Sequence, residues 1–318
     1  MKHILHILLC VMSLLGVAKH DLSAQVLGEW KVYPSYQIAT QNLTVGSRVY
    51  SLMDGNLLCY DSEDESVKLY DCLNTLNDVH INFIAYSADV KRLLLVYENE
   101  NIDLLDLDDH SLNISALKDK AINNKDVTCV SVYGHMAYLG TGFGVVSVDM
   151  KEGVISDTYR LGVSVSCLAA SDKALWVGCS KGLYSSAWDN VEIHNLSTWT
   201  LQGGADNWRA LVTSPKGVFA MNNSAVLHVD ENKTETVKKG WYAFMKGIDN
   251  EKICFGNANE INLCAHDATP KTYRFSNTWK DVSLGKSNLY WVSEGNDGLR
   301  PYKLSDEGFV MGNELIQP

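Results

Sequence analysis

The chain has 318 residues, of which 46% are hydrophobic and 20% are charged, and its formal net charge at pH 7 is −11. This balance is typical of a globular chain that buries a core, and it excludes wholesale disorder. The acidic charge argues against binding to nucleic-acid phosphates and gives no attraction to an anionic membrane surface.

The N-terminus has the pattern of a secretory signal peptide covering residues 1–24. Lys2 supplies the positive charge, and residues 4–15 form an apolar stretch that is too short to span a bilayer. Cleavage is predicted after Ala24, with Ala18 as the alternative site. No later segment has the ~18 consecutive apolar residues of a transmembrane helix. We therefore predict a secreted protein.

An internal repeat runs through the rest of the chain. In each copy an apolar pair precedes small turn residues and a second apolar run, as in residues 137–145 and 175–183. The frame recurs at seven anchor positions spaced 35 to 45 residues apart, which are Tyr50, Leu95, Tyr138, Trp176, Phe219, Cys254 and Trp291. A repeat of this length built from short strands is typical of a β-propeller.

Each repeat contains four strand-like runs, and in the third repeat they cover residues 127–132, 135–141, 144–149 and 154–160. Helical periodicity is almost absent. The fourth run is more polar, so we expect the inner strands to be packed on both faces and the outermost strand to be half exposed. The prediction is an all-β fold, a seven-bladed β-propeller of four-stranded antiparallel blades that occupies residues 25–318.

Closure of the ring needs a strand that completes the last blade. Residues 29–33 precede the first repeat and are the candidate for this role, because propellers often close with a strand from one terminus. Residues 309–311, near the end of the sequence, could take the same place.

The segment from Trp176 to Leu183 resembles the repeats of two-component regulator propellers. Residues 30–36, 94–105 and 137–144 resemble the N-terminal propeller of the PorZ family of the type IX secretion system. This resemblance covers the sequence from about Gln25 to its end.

The resemblance implies a non-enzymatic role on the surface of a Bacteroidetes cell. It implies partners in an outer-membrane attachment complex and the presentation of anionic lipopolysaccharide to secreted cargo. It supplies no catalytic residues. Proteins of this family are expected to continue into a second propeller and a C-terminal sorting domain, whereas this sequence ends at Pro318.

Residues that could carry chemistry are scattered along the chain. The acidic stretches 61–65 and 106–109 do not have EF-hand spacing and are interpreted as solvated turns. The seven cysteines after residue 24 form no CxxC pair and are interpreted as small buried hydrophobes. No nucleophile elbow or phosphate loop occurs, so we predict no enzyme, no metal and no cofactor. A Ser–His–Asp triad built from distant positions stays open, because triads are defined by geometry.

Aromatic residues in predicted loops are the candidates for ligand binding. Their rings could stack on sugars or dock a partner, or could instead fill gaps between blades. These residues are Trp188, Trp199, Trp208 and Trp279.

The turns between second and third strands should converge on one face with the connections between blades. Residues of these turns are Asn56, Asn101, Phe143, Lys181, Ser224, Glu260 and Asp297. Because Lys181 is the one basic residue among them, the sequence shows no cradle for an anionic glycan.

Three classes of function are compatible with these observations. The preferred one is a surface interaction protein with protein partners and anionic lipopolysaccharide as a possible ligand. The second is a ligand-sensing extracytoplasmic propeller related to hybrid two-component sensors. The third is a lyase or glycoside hydrolase, which would need paired carboxylates on one face of the ring.

Overall fold

The structure is a computed structural model that describes residues 34–318 apart from 231–232, 250–251, 267, 275–276, 314 and 317–318. The described residues form 28 β-strands in seven antiparallel sheets, each made of four strands consecutive in the chain. This confirms the predicted seven-bladed propeller of four-stranded blades. Two 3₁₀ turns, Leu196–Thr198 and Lys286–Asn288, are the helical elements of the described part.

The strands of blades 1 to 4 are β1 Ala39–Val45, β2 Arg48–Met53, β3 Asn56–Asp61, β4 Ser66–Tyr70, β5 Ile81–Ser87, β6 Arg92–Tyr97, β7 Ile102–Asp106, β8 Ser111–Ile114, β9 Val127–Tyr133, β10 Met136–Thr141, β11 Gly144–Asp149, β12 Val154–Tyr159, β13 Val165–Ala170, β14 Ala174–Cys179, β15 Gly182–Ala187 and β16 Thr200–Gly203. The strands of blades 5 to 7 are β17 Ala210–Ser214, β18 Gly217–Met221, β19 Ala225–Val229, β20 Thr234–Lys239, β21 Phe244–Gly247, β22 Lys252–Gly256, β23 Glu260–Ala265, β24 Lys271–Arg274, β25 Asp281–Leu284, β26 Leu289–Ser293, β27 Leu299–Ser305 and β28 Gly308–Met311.

All seven anchor positions lie in the second strand of their blade, and each of their side chains is at most 6% exposed. Second and third strands are buried because neighbouring blades cover both faces, whereas the first three residues of the outer strand β4 are exposed. The innermost strands line a central channel and agree with the expectation only in part. Strands β13 and β25 are mostly buried, whereas β9 has no buried residue.

The backbone conformation explains two of the small residues in the repeat frame. Gly144 and Gly182 open the third strands of blades 3 and 4 with φ angles of +148° and +150°. A Cβ atom at Gly144 would lie 2.0 Å from the carbonyl oxygen of Tyr159, and one at Gly182 would lie 2.6 Å from that of Gly203. Only glycine lets the outer strand approach this closely at these φ angles.

The last blade is built from one continuous segment, because residues 309–311 lie in its fourth strand, β28. The tail therefore occupies the outer place that was predicted for a closing strand. The alternative segment, residues 29–33, lies outside the described residues, as does the predicted signal peptide.

Blades 7 and 1 meet at a seam held by backbone and side-chain contacts. The N–H of Ala39 donates to the carbonyl oxygen of Gly295 at 2.9 Å. The N–H of Asn42 donates to the Asp281 carboxylate at 2.8 Å, and the Lys246 ammonium lies 2.6 Å from the same carboxylate oxygen. One acidic side chain of blade 7 thus joins blades 6, 7 and 1.

The cysteines agree in most positions with their interpretation as small hydrophobes. The seven described ones are free; five are buried, Cys129 is half-buried and Cys72 is exposed. Across the described ranges, no helix combines the length and the apolar character that crossing a bilayer requires.

Candidate binding site at the mouth of the central channel

One side of the ring, here called the connection face, carries the second-to-third-strand turns and the connections between blades. Backbone hydrogen bonds tie the two sets together. Gly162 donates to Phe143 at 3.1 Å in blade 3, and Gly240 donates to Ser224 at 2.8 Å in blade 5. The seven turn residues named from the sequence lie in these turns or directly beside them.

Several of these turn residues hold the loops in place. Asn101, which is 4% exposed, donates to the Asp78 carboxylate at 3.1 Å. The Glu260 carboxylate lies 3.0 Å from the Lys238 ammonium. Asn56 donates to the carbonyl oxygen of Ser35 at 3.0 Å. These side chains therefore hold the loops that form the connection face.

Asp78 is the centre of one such network, in the connection between blades 1 and 2. Its carboxylate accepts hydrogen bonds from Lys118 at 2.6 Å, Asn99 at 2.8 Å and Asn101 at 3.1 Å. Burial opposes ionisation of Asp78, but these hydrogen bonds and one from the Val79 N–H outweigh it and lower the pKa to about 2.

We expect Asp78→Asn to lower the melting temperature at pH 7. The folded-state pKa of Asp78 lies below that of an unfolded aspartate, so its stabilisation is fully present above about pH 4 and is lost as the pH falls toward 2. The gap between the variant and the parent protein should therefore shrink across that window. Thermal melts at several pH values measure it, with Asp172→Asn as the control. A gap that stays constant would contradict the prediction.

The channel opens on the connection face at the start of the first strands, where a cavity encloses about 400 Å³. The residues directly before the first strands of blades 5, 6 and 7 are Arg209, Ala243 and Lys280. Each donates its N–H to the last residue of the second strand of its blade, at 2.8, 2.7 and 2.8 Å. The repeat therefore places these three side chains at equivalent positions around the mouth.

The mouth is positively charged in an acidic protein. Its lining includes Arg209, Lys246 and Lys280 against the single carboxylate of Asp281. Arg209 is held by a hydrogen bond of 2.7 Å to the carbonyl oxygen of Tyr242. Lys246 is paired with Asp281, while Lys280 is exposed to solvent. Positive charges clustered around a cleft raise the local concentration of anions.

Blades 3 and 4 contribute hydroxyl and thiol groups to the lining, and these are engaged or unreactive. Thr128 Oγ1 lies 2.5 Å from the Val165 carbonyl oxygen, and Ser166 Oγ lies 2.8 Å from that of Trp208, so each ties its blade to the next. Burial raises the pKa of the Cys129 thiol to about 12, and a protonated thiol is a poor nucleophile. The mouth is therefore suited to electrostatic binding.

The four tryptophans named from the sequence are not brought together. Trp188 and Trp199 lie in a third-to-fourth-strand hairpin on the opposite face, whereas Trp208 and Trp279 lie in connections between blades. Trp199, Trp208 and Trp279 are at most 5% exposed and pack between blades. Trp188 is half-buried and stacks on Tyr138 at a ring distance of 5.2 Å. Ligand stacking by these rings stays a prediction, with Trp188 the accessible candidate.

A serine–histidine contact occurs on the opposite face. Ser214 Oγ lies 2.9 Å from His228 Nε2 and links a hairpin to the third strand of blade 5. The rings of His228 and His266 lie 5.0 and 5.4 Å from the ring of Phe219. Both histidine rings therefore pack against one phenylalanine, although His228 lies within β19 and His266 follows the end of β23.

The basic residues at the mouth were not among the site residues predicted from the sequence, because they lie outside the turns between second and third strands. The signal was nevertheless present. Arg209 precedes the anchor Phe219 by ten residues, and Lys280 precedes the anchor Trp291 by eleven. Alignment on the anchors would have placed both side chains at the same end of the channel.

The chain is similar to known proteins in the sequence of one segment and in its fold. Residues 49–200 match the family described as the N-terminal β-propeller domain of the type IX secretion protein PorZ. No curated protein matches the chain. Similar solved structures include PorZ of Porphyromonas gingivalis, an essential bacterial surface component of the type IX secretion system. It is 21% identical with a TM-score of 0.78, and the match covers 91% of this chain and 40% of that one.

Two further propellers are similar in fold. A chain of the mitotic checkpoint complex is 12% identical with a TM-score of 0.62, covering 88% of this chain and 100% of that one. The WD40 propeller of Doa1 is 13% identical with a TM-score of 0.63, covering 88% and 95%. The present chain spans less than half the length of the PorZ structure. Residues 49–200 are therefore similar in sequence to the N-terminal propeller domain of PorZ, and the described chain has a β-propeller fold like that of the PorZ structure.

Proposed function

We propose that this propeller is a non-enzymatic surface component that holds anionic lipopolysaccharide for presentation to cargo of the type IX secretion system. The observation that carries the proposal is the group of basic side chains at the channel mouth, where Arg209, Lys246 and Lys280 face one carboxylate. A chain with a net charge of −11 repels anions over most of its surface, so a local excess of positive charge selects where an anion binds.

The proposed partners are the proteins of an outer-membrane attachment complex, and the proposed location is the periplasm or the cell surface. The likeness to PorZ, which is a bacterial surface component, supports this setting. The engaged hydroxyls and the protonated Cys129 thiol at the mouth favour binding over catalysis.

The test is binding of the purified residue 25–318 protein to anionic and to neutral lipopolysaccharide across a salt titration. We expect saturable binding to the anionic form only, with an affinity that falls as the salt concentration rises, because the interaction is between exposed charges. Lys280→Glu reverses the charge of the most accessible basic residue at the mouth and should weaken binding roughly tenfold, which corresponds to about 1.4 kcal/mol.

Lys173→Glu is the matched control, because it makes the same charge change at an exposed residue of a first-to-second-strand hairpin on the opposite face. It should leave the affinity within about twofold, as distant exposed charges are screened at physiological salt. Equal losses in the two variants, equal binding of the neutral form, or no binding to either form would each contradict the proposal.

A further inference from the structure

Trp241 differs from the other described tryptophans in its exposure. Its side chain is 54% exposed, whereas the other described tryptophans are buried or half-buried. It lies in the short connection between blades 5 and 6, on the connection face and beside the channel mouth. Such an indole offers an aromatic, largely apolar surface to a ligand on the face that carries the loops.

The backbone on both sides of this indole is fixed. The N–H of Gly240 donates to Ser224 at 2.8 Å, and Asn257 Nδ2 donates to the Trp241 carbonyl oxygen at 3.1 Å. The next residue, Tyr242, is 1% exposed and packs edge-on against Phe255 at a ring distance of 4.8 Å. Trp241 is therefore presented by an ordered loop, so binding of a ligand would cost little conformational entropy for ordering that loop.

The guanidinium of Arg209 lies over this indole, with Cζ 5.0 Å from the ring centroid. Arg209 also donates to the carbonyl oxygen of Tyr242 at 2.7 Å and lines the channel mouth. The guanidinium covers one part of the indole, and the rest of the ring is open to solvent. An aromatic surface and a fixed positive charge therefore lie side by side.

These two groups recognise two parts of one kind of molecule. The apolar C–H face of a sugar ring stacks on an aromatic side chain, and the planar guanidinium suits a phosphate or carboxylate oxygen. We propose that Trp241 and Arg209 form a subsite for a sugar ring that carries an anionic group. The inference rests on the proposed function, since it names the part of the glycolipid that the propeller would grip.

Isothermal titration with glucose 1-phosphate, glucose and inorganic phosphate tests this subsite on the residue 25–318 protein. We expect glucose 1-phosphate to bind at least about tenfold more tightly than either of the other two, because it alone engages both groups. Trp241→Ala should lose this advantage, and Trp241→Phe should retain most of it because the aromatic surface remains. Tyr133→Ala is the control, since it removes a ring that is 44% exposed at the far end of β9.

Two results would overturn the subsite. One is glucose 1-phosphate binding that is unchanged in Trp241→Ala, and the other is inorganic phosphate binding as tightly as glucose 1-phosphate. Binding of anionic lipopolysaccharide is measured on the same variants. If the parent protein binds that glycolipid but not glucose 1-phosphate, the subsite is refuted while the proposed function stands. If it binds glucose 1-phosphate through Trp241 but no lipopolysaccharide, the subsite stands and the proposed function fails.

Discussion

Gly144→Ala is expected to lower the free energy of unfolding by about 3 kcal/mol or more, which would lower the melting temperature by about 6 °C or more in a domain of this size. The φ angle of +148° is strained for any residue with a Cβ atom, and that atom would lie 2.0 Å from the Tyr159 carbonyl oxygen. The outer strand β12 would have to move away from β11, and the hydrogen bonds between them would weaken.

Gly204→Ala is the matched control for this change. No atom lies within 4 Å of the place that a Cβ atom would take at Gly204, and its φ angle is not left-handed, so alanine fits there without strain. The melting temperature of this variant should match that of the parent protein or rise slightly. Thermal and urea unfolding of the two variants measure the difference. Equal stability of Gly144→Ala and Gly204→Ala would show that the third strand of blade 3 can shift without cost.

Asp281→Ala is expected to destabilise the protein by about 2 kcal/mol, which is less than the cost of breaking a fully buried ion pair because the Lys246 side chain is 33% exposed. The Asp281 side chain is almost buried, and its carboxylate accepts hydrogen bonds from the Lys246 ammonium and the Asn42 N–H. Its removal leaves the ammonium without its anionic partner and the N–H without its acceptor at the junction of three blades.

Glu63→Ala tests whether this cost comes from burial. The Glu63–Lys286 pair also joins blades 1 and 7, but its side chains are 67% and 62% exposed. An exposed pair contributes up to about 1 kcal/mol, so this variant should be nearly as stable as the parent protein. Urea unfolding midpoints of the two variants provide the comparison. A loss of stability in Glu63→Ala as large as that in Asp281→Ala would refute the role given to the buried carboxylate.

The fold could be predicted from the sequence because a similar pattern of apolar strands and small turn residues recurs in each blade. The apolar second strand of each blade needs cover on both faces, and in blades 3 and 4 a glycine opens the third strand where the outer strand passes close. Both requirements leave marks at fixed places, as at Trp176 and Gly182 in blade 4. The exposure of the first strand β9 was not predicted, because a channel-facing apolar residue and a packed one look alike in sequence.

The candidate site could be predicted only in part. The face of the propeller on which the site lies followed from the strand topology. The positive charge of the site depends on which side chains the ring brings together. Lys246 and Asp281 lie 35 residues apart, in different blades, and neither has a pattern of its own. The tryptophans show the same limit. Trp208 and Trp279 each lie two residues before a first strand, where the repeat leaves a gap to fill, whereas Trp241 lies one residue earlier in its own connection and is exposed.

The continuous build of the last blade has a consequence for how the ring assembles. Within the described chain every blade pairs only strands that follow one another, so each sheet can form from contacts that are close in sequence. The seam instead joins residues such as Asn42 and Asp281, which are 239 positions apart. Since the entropy of closing so long a loop must be offset before the seam contacts form, we expect sealing of the ring to be a late step in folding. The same boundary is the natural place for the closed ring to open first, as a sub-global fluctuation that leaves the separate blades intact.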